Sequence, residues 1–183
     1  KKESNAKMRK SPSNNNEKHF TDLKVALLAS QTVKNEFGGA GNYIRGLFSG
    51  LTNIGCKVEI IYIPSKESSF EEIESNYIYC RKLVLDHFDV VISSKPPAYA
   101  VSHPKHILHL MHPIRVFDDM FYETFPHATM QHYLQRAKLF DLDFHAFTKI
   151  KKIFVIGEDI AKRLSCSRGI NPEVLYPPLR NEN

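Results

Sequence analysis

Cysteine is scarce in this chain, with three among 183 residues. Cys56, Cys80 and Cys166 lie far apart and form no CxxC pair. That spacing argues against a disulfide framework and a zinc knuckle, and reads as three buried thiols of a cytosolic protein. Long apolar runs are missing too. No stretch approaches the ~20 residues that span a bilayer. No apolar core follows the basic N-terminal segment, as a signal peptide would require. No GK[ST] triplet occurs, so a P-loop is excluded.

Positive charge is present but unevenly placed. The formal net charge is +5. Residues 1–19 hold Lys1, Lys2, Lys7, Arg9, Lys10 and Lys18 against Glu3 and Glu17, so +4 of that +5 sits on this segment. The segment is polar and Asn-rich and cannot bury enough surface to fold alone. It is expected to be a disordered basic tail, with peripheral contact to an acidic membrane surface as one use for it. A nucleic-acid face is not implied, because the charge lies off the folded part. Residues 20–183 are near neutral. Their length and the chain's 42% hydrophobic content suit one globular domain.

The apolar patterning alternates between two periods. LKVALLAS (23–30) reads as a strand buried on both faces. Residues 31–39 follow as a loop. In AGNYIRGLFSGLTNIG (40–55) the apolar residues fall at helical spacing, and Gly55 ends the run. CKVEIIYIP is a second strand, closed by Pro64. The stretch 70–88 aligns Phe70, Ile73, Tyr77, Cys80, Val84 and Phe88 on one helical stripe. FDVVISS (88–94), HILHLM (106–111) and KIFVIG (152–157) are three further strands. Residues 128–147 suggest a longer helix, with Met130, Tyr133, Leu134, Ala137 and Phe140 spaced for it. EDIAKRLSCSRG is a helix with acidic residues at its start and Gly169 at its stop. PEVLYPP (172–178) is a short last strand. Strands alternating with helices, without hairpin signals, predict a Rossmann-like parallel sheet flanked by helices. Ligands of such sheets bind beyond the carboxyl ends of the strands. The loops to inspect are therefore 31–39, 64–69, 94–97, 112–119 and 157–158.

Three of these regions carry candidate chemistry. Gly38 and Gly39 precede the first long helix. They read either as a tight turn or as a loop that lets an anion approach helix N–H groups. The dinucleotide fingerprint is incomplete, with Ile44 where its third glycine would stand. In HPKHILHLMHPIR, four histidines fall at every third position. A metal site would need a helix to gather them, and Pro104 and Pro113 oppose one. On a strand, His106 and His112 face one way and His103 and His109 the other, so no metal site is expected from this run. His109 is expected to be packed and hydrogen-bonded. His112 ends the strand, where it either contacts a substrate or remains a loop histidine. Arg115, with Asp118 and Asp119 after it, either binds phosphate or carboxylate or simply pairs with aspartate.

The order of these features resembles the N-terminal half of a GT-B fold, as found in family-4-type glycosyltransferases. The resemblance rests on Gly38-Gly39-Ala40 opening the first helix, on His112, Arg115, Phe117 and Asp119 after the fourth strand, and on the run from Val155 to Ile160 with Tyr176-Pro177-Pro178 near the end. Asp118 stands where an aromatic is more usual, and Gly157 where serine is. The resemblance covers residues 23–179. It implies a retaining, hexosyl-type transfer from a nucleotide-diphosphate sugar to a sugar or lipid-linked acceptor, without metal or other cofactor. It implies that Gly38 and Gly39 admit the donor's diphosphate or sugar. His112 would hydrogen-bond the transferred sugar, Arg115 would bind acceptor or phosphate charge, and Asp119 would orient Arg115 or a hydroxyl. Loops 64–69 and 112–127 would set acceptor choice. It further implies a cytoplasmic location, including the inner face of the membrane. A second, donor-binding domain would lie beyond this chain, which is then expected to be inactive by itself. The competing expectation is a non-enzymatic Rossmann-like module that binds a nucleotide or other anion.

Overall fold

A computed structural model of the chain describes residues 20–31 and 38–177. The basic tail, most of the loop after the first strand, and Pro178 lie outside the described residues. Six strands form one all-parallel sheet: β1 (Lys24–Ser30), β2 (Lys57–Ile63), β3 (Val90–Ser93), β4 (His106–Leu110), β5 (Lys152–Val155) and β6 (Glu173–Val174). Their spatial order is β2-β1-β3-β4-β5-β6. The Rossmann-like α/β architecture expected from the sequence is therefore present.

Strand alternation divides the core into two layers. Val25, Leu27, Ala29 and Ile92 point to one face, against Tyr43 and Ile44 of helix α1 (Gly39–Asn53). Ala26, Leu28, Val91, Leu108 and Leu110 point to the other. There they meet α2 (Phe70–Arg81), α4 (Met130–Phe147) and α5 (Glu158–Arg168); a short helix α3 (Phe121–Thr124) lies between. β1 is buried at six of its seven positions because it is covered on both faces, as its continuous apolar run requires. Among the described residues no helix is long and apolar enough to cross a membrane.

Local chemistry sets the helix ends. Ser69 caps α2 by accepting from the Glu72 N–H at 3.2 Å, with Glu71 and Glu72 in the first turn. Gly169 ends α5 in the left-handed region at φ 65°. Gly55 sits at φ 95°, where a Cβ would lie 3.0 Å from the Thr21 Cγ2. Gly55→Ala should therefore cost about 1–2 kcal/mol in denaturant unfolding, from the backbone conformation and the contact together.

Four expectations need correction. The helical stripe predicted through Phe88 stops at Arg81, and Val84 is 73% exposed. The chain turns there to reach β3: the Phe88 N–H bonds to Leu85 O and the Asp89 N–H to Lys24 O. Phe88 is buried from that turn rather than from a helix. α4 exists, but its buried positions are Leu139, Leu142, Asp143, Ala146 and Phe147, whereas Met130 is 73% and Leu134 58% exposed. A charged residue, Asp143, lies inside the true inner face, so counting apolar residues selects the wrong side. Cys56 and Cys80 are buried, and burial pushes the Cys80 thiol up to about 12; Cys166, however, is exposed on α5. The last strand is shorter than expected, two residues rather than seven.

Candidate functional site

The strand order contains a reversal. From β1 the chain steps to β2 on one side and later returns to place β3 on the other. Crossovers diverge at such a point, leaving a crevice at the carboxyl ends of the two strands. A cleft of about 320 Å³ lies among these ends, lined by Ser30, Ser65, Glu67, Lys95, Pro96 and His112. Ser30 ends β1, Ser65 and Glu67 follow β2, Lys95 and Pro96 follow β3, and His112 follows β4. Four strand ends thus each contribute to one wall. The Ser30 and Ser65 hydroxyls are hydrogen-bonded to each other and buried.

His112 is half-buried, and its Nδ1–H donates to the Pro113 carbonyl at 2.8 Å. Because a carbonyl can only accept, the proton is placed on Nδ1, and neutral imidazole keeps its Nε2 lone pair. Burial lowers the His112 pKa, and the charges of Lys95 and Arg115 lower it further; the Pro113 bond and Asp119 oppose them. The ring is therefore held in the neutral form at neutral pH. Nε2 makes no hydrogen bond to any described residue and can accept from a ligand hydroxyl.

Arg115 and Asp119 do not line the cleft. They form a two-pronged pair beyond His112, with the Arg115 Nη2 2.9 Å from Asp119 Oδ2. The Arg163 Nη1 shares the same oxygen at 2.8 Å. The pairing raises the Arg115 pKa and lowers that of Asp119. Next to it, Asp118 is buried and accepts from Arg168 at 3.2 Å. Two arginines of α5 thus anchor the two consecutive aspartates of the 112–119 segment.

Gly38 is the residue before α1, in extended conformation (φ −78°, ψ −179°). A Cβ added at Gly38 or Gly39 would meet nothing within 4 Å among the described residues. Neither the backbone conformation at Gly38 nor packing against the described residues calls for glycine there. These glycines lie outside the cleft's lining, and the loop joining them to Ser30 falls largely outside the described residues.

The other histidines have separate occupations. His109 Nδ1 accepts from the Tyr43 hydroxyl at 2.8 Å, and its Nε2–H donates to Leu175 O at 2.6 Å. His106 pairs with Ser93 Oγ at 2.8 Å, and His103 Nε2 donates to Phe88 O at 3.1 Å. His109 is packed and hydrogen-bonded as the strand pattern predicts. No group of three or more His, Cys, Asp or Glu among the described residues is placed to hold a metal ion.

Sequence reasoning did not single out Ser30, Ser65, Glu67 or Lys95. Their position, at or just past strand ends, was the available signal. Their residue types are too common on surfaces to stand out. Comparison with protein-family models, curated proteins and solved structures finds no match for this chain.

Proposed function

We propose that this chain is the acceptor-side domain of a retaining glycosyltransferase that uses a nucleotide-diphosphate sugar. The observation that carries the reading is His112 on the wall of the switch-point cleft, kept neutral with Nε2 open. An acceptor atom held there suits a sugar hydroxyl, which donates a hydrogen bond and brings no charge. Gly38 and Gly39 at the start of α1 support it, since a helix N-terminus without Cβ atoms suits a diphosphate or sugar approaching closely. In this reading Arg115, held by Asp119, supplies positive charge beside the cleft. The nucleotide would rest mainly on a second α/β domain, and this chain alone is expected to show no transfer. Catalysis by orientation needs both reactants in one closed cleft.

The test is NMR of the isotopically labelled chain with a panel of nucleotide-diphosphate sugars. The expected result is a shift of the His112 ring signals and of the Gly38 and Gly39 amides. Gly38→Val should remove the amide response, while lowering stability by no more than about 1 kcal/mol, the scale of an N-cap change. A response to nucleotides that is indifferent to the sugar, with His112 silent, would instead favour a nucleotide-binding module without transfer.

A further inference from the structure

The cleft has a neighbour. A second cavity of about 200 Å³ lies beside it, and Glu67 lines both. Two chain segments, 65–70 and 112–117, contribute to both compartments. The second sets a phenylalanine wall (Phe70, Phe117, Phe125) against polar groups from Ser68, Ser69, His132 and Gln135. Its rings pack on one another: Phe70 and Phe117 meet edge-on at 5.5 Å, and Phe117 and Phe125 are tilted at 5.8 Å. His132 stacks on Phe125 at 4.2 Å and 22°. A space of ~150 Å³ is enough for benzene, so this pocket has room for one aromatic ring.

The two compartments differ in chemistry. The cleft offers an ammonium (Lys95), a carboxylate (Glu67), two hydroxyls and a neutral imidazole. Burial raises the Glu67 pKa and the charge of Lys95 opposes that rise, but no salt bridge joins the two. Their charges cancel within the lining; outside it, Arg115 and Arg163 share Asp119. A lining that both donates and accepts, with no net charge, fits a neutral polyol better than a phosphate. The neighbouring cavity adds aromatic and aliphatic carbon, together with hydroxyl, amide and imidazole groups.

Resting on the transfer reading above, we infer that the acceptor is a neutral glycoside with an apolar aglycone, its sugar in the Lys95–Glu67–His112 cleft and one ring's volume of aglycone in the Phe70–Phe117–Phe125 cavity.

The two compartments carry one histidine reporter each, His112 in the cleft and His132 in the cavity. The experiment follows both ring signals while the chain is titrated with glucose, phenol, phenyl glucoside, lactose and phenyl phosphate. Glucose should move His112 alone, and phenol His132 alone. Phenyl glucoside should move both, and bind at least about ten-fold tighter than glucose, the gain of burying one aromatic ring. Val116→Phe, which fills the cavity, should erase that gain and leave the glucose response. Should Val116→Phe not fold, Gln135→Phe at the cavity's α4 side gives the same reading. Lys95→Gln should weaken glucose and phenyl glucoside alike and leave phenol unchanged.

Equal affinity for glucose and phenyl glucoside overturns the inference, as does an equal gain with lactose, which would make the cavity a second sugar subsite. Tighter binding of phenyl phosphate than of phenyl glucoside overturns the neutral head. A His112 that answers nucleotide sugars while His132 ignores phenyl glucoside keeps the transfer reading and loses this one. The reverse pattern keeps the glycoside site and loses the transfer reading.

Discussion

Replacing Arg168 with methionine should destabilise the chain by about 3–5 kcal/mol, the cost of stranding a buried charge. The Arg168 side chain is 2% exposed. Its Nη2 donates to Asp143 Oδ2 at 2.8 Å and its Nη1 to Asp118 Oδ1 at 3.2 Å. Its guanidinium lies 3.6 Å from the centre of the Phe140 ring. Asp143 has no exposure, and its Oδ1 accepts from the hydroxyls of Tyr77 and Tyr99, each at 2.6 Å. Burial raises the Asp143 pKa, while Arg168 and the two tyrosines oppose that rise. Without the guanidinium, the carboxylate must either stay charged and unpaired or take a proton. Both cost free energy at neutral pH. Urea unfolding at pH 7 measures the loss. The double change Asp143→Leu with Arg168→Met should cost clearly less than the two single changes added, because Asp143 is no longer left as a lone charge, although Asp118 still loses its Arg168 partner. A single-variant loss under 1 kcal/mol, or simple additivity, would mean that water reaches this network.

The second large effect concerns pH. His106 is 1% exposed and hydrogen-bonded to Ser93. Burial, reinforced by the nearby His103, lowers its pKa from 6.5 to about 4. The unfolded chain therefore binds a proton that the folded chain refuses between those two values. Stability from this group is fully present above about pH 6.5 and is lost as pH falls toward 4. The loss amounts to about 3 kcal/mol by proton linkage. Urea midpoints of the native chain should fall across this window. The His106→Asn chain should start less stable and show a slope shallower by one proton. An equally steep slope in that variant would assign the acid sensitivity to other groups.

Much of the fold was legible because its signals are local. LKVALLAS is continuous in apolar residues, and β1 is buried on both faces. Glu158, Asp159 and Gly169 bracket α5 as helix electrostatics and left-handed caps direct. The histidine run shows how far strand alternation reaches. It separates His109, which turns to Tyr43, from His106, which turns to Ser93, and it leaves His112 at the strand's end. The same method does not find α4's inner face. Periodicity scores Asp143 as polar and therefore outward. Its burial depends on Arg168, twenty-five residues later, and on two tyrosines from elsewhere in the chain.

The sequence alone determined the order of elements, the parallel sheet and the placement of His112 just past a strand. Each follows from periodicity, capping and turn chemistry within a few residues. Only the tertiary structure decided that β1 lies between β2 and β3. That order makes the crevice and brings Ser30, Ser65, Lys95 and His112 to one wall. It also decided that segments 67–70 and 114–117 border a second pocket with a phenylalanine wall. Strand neighbours are chosen by burial summed over the whole core, and no local pattern encodes that sum.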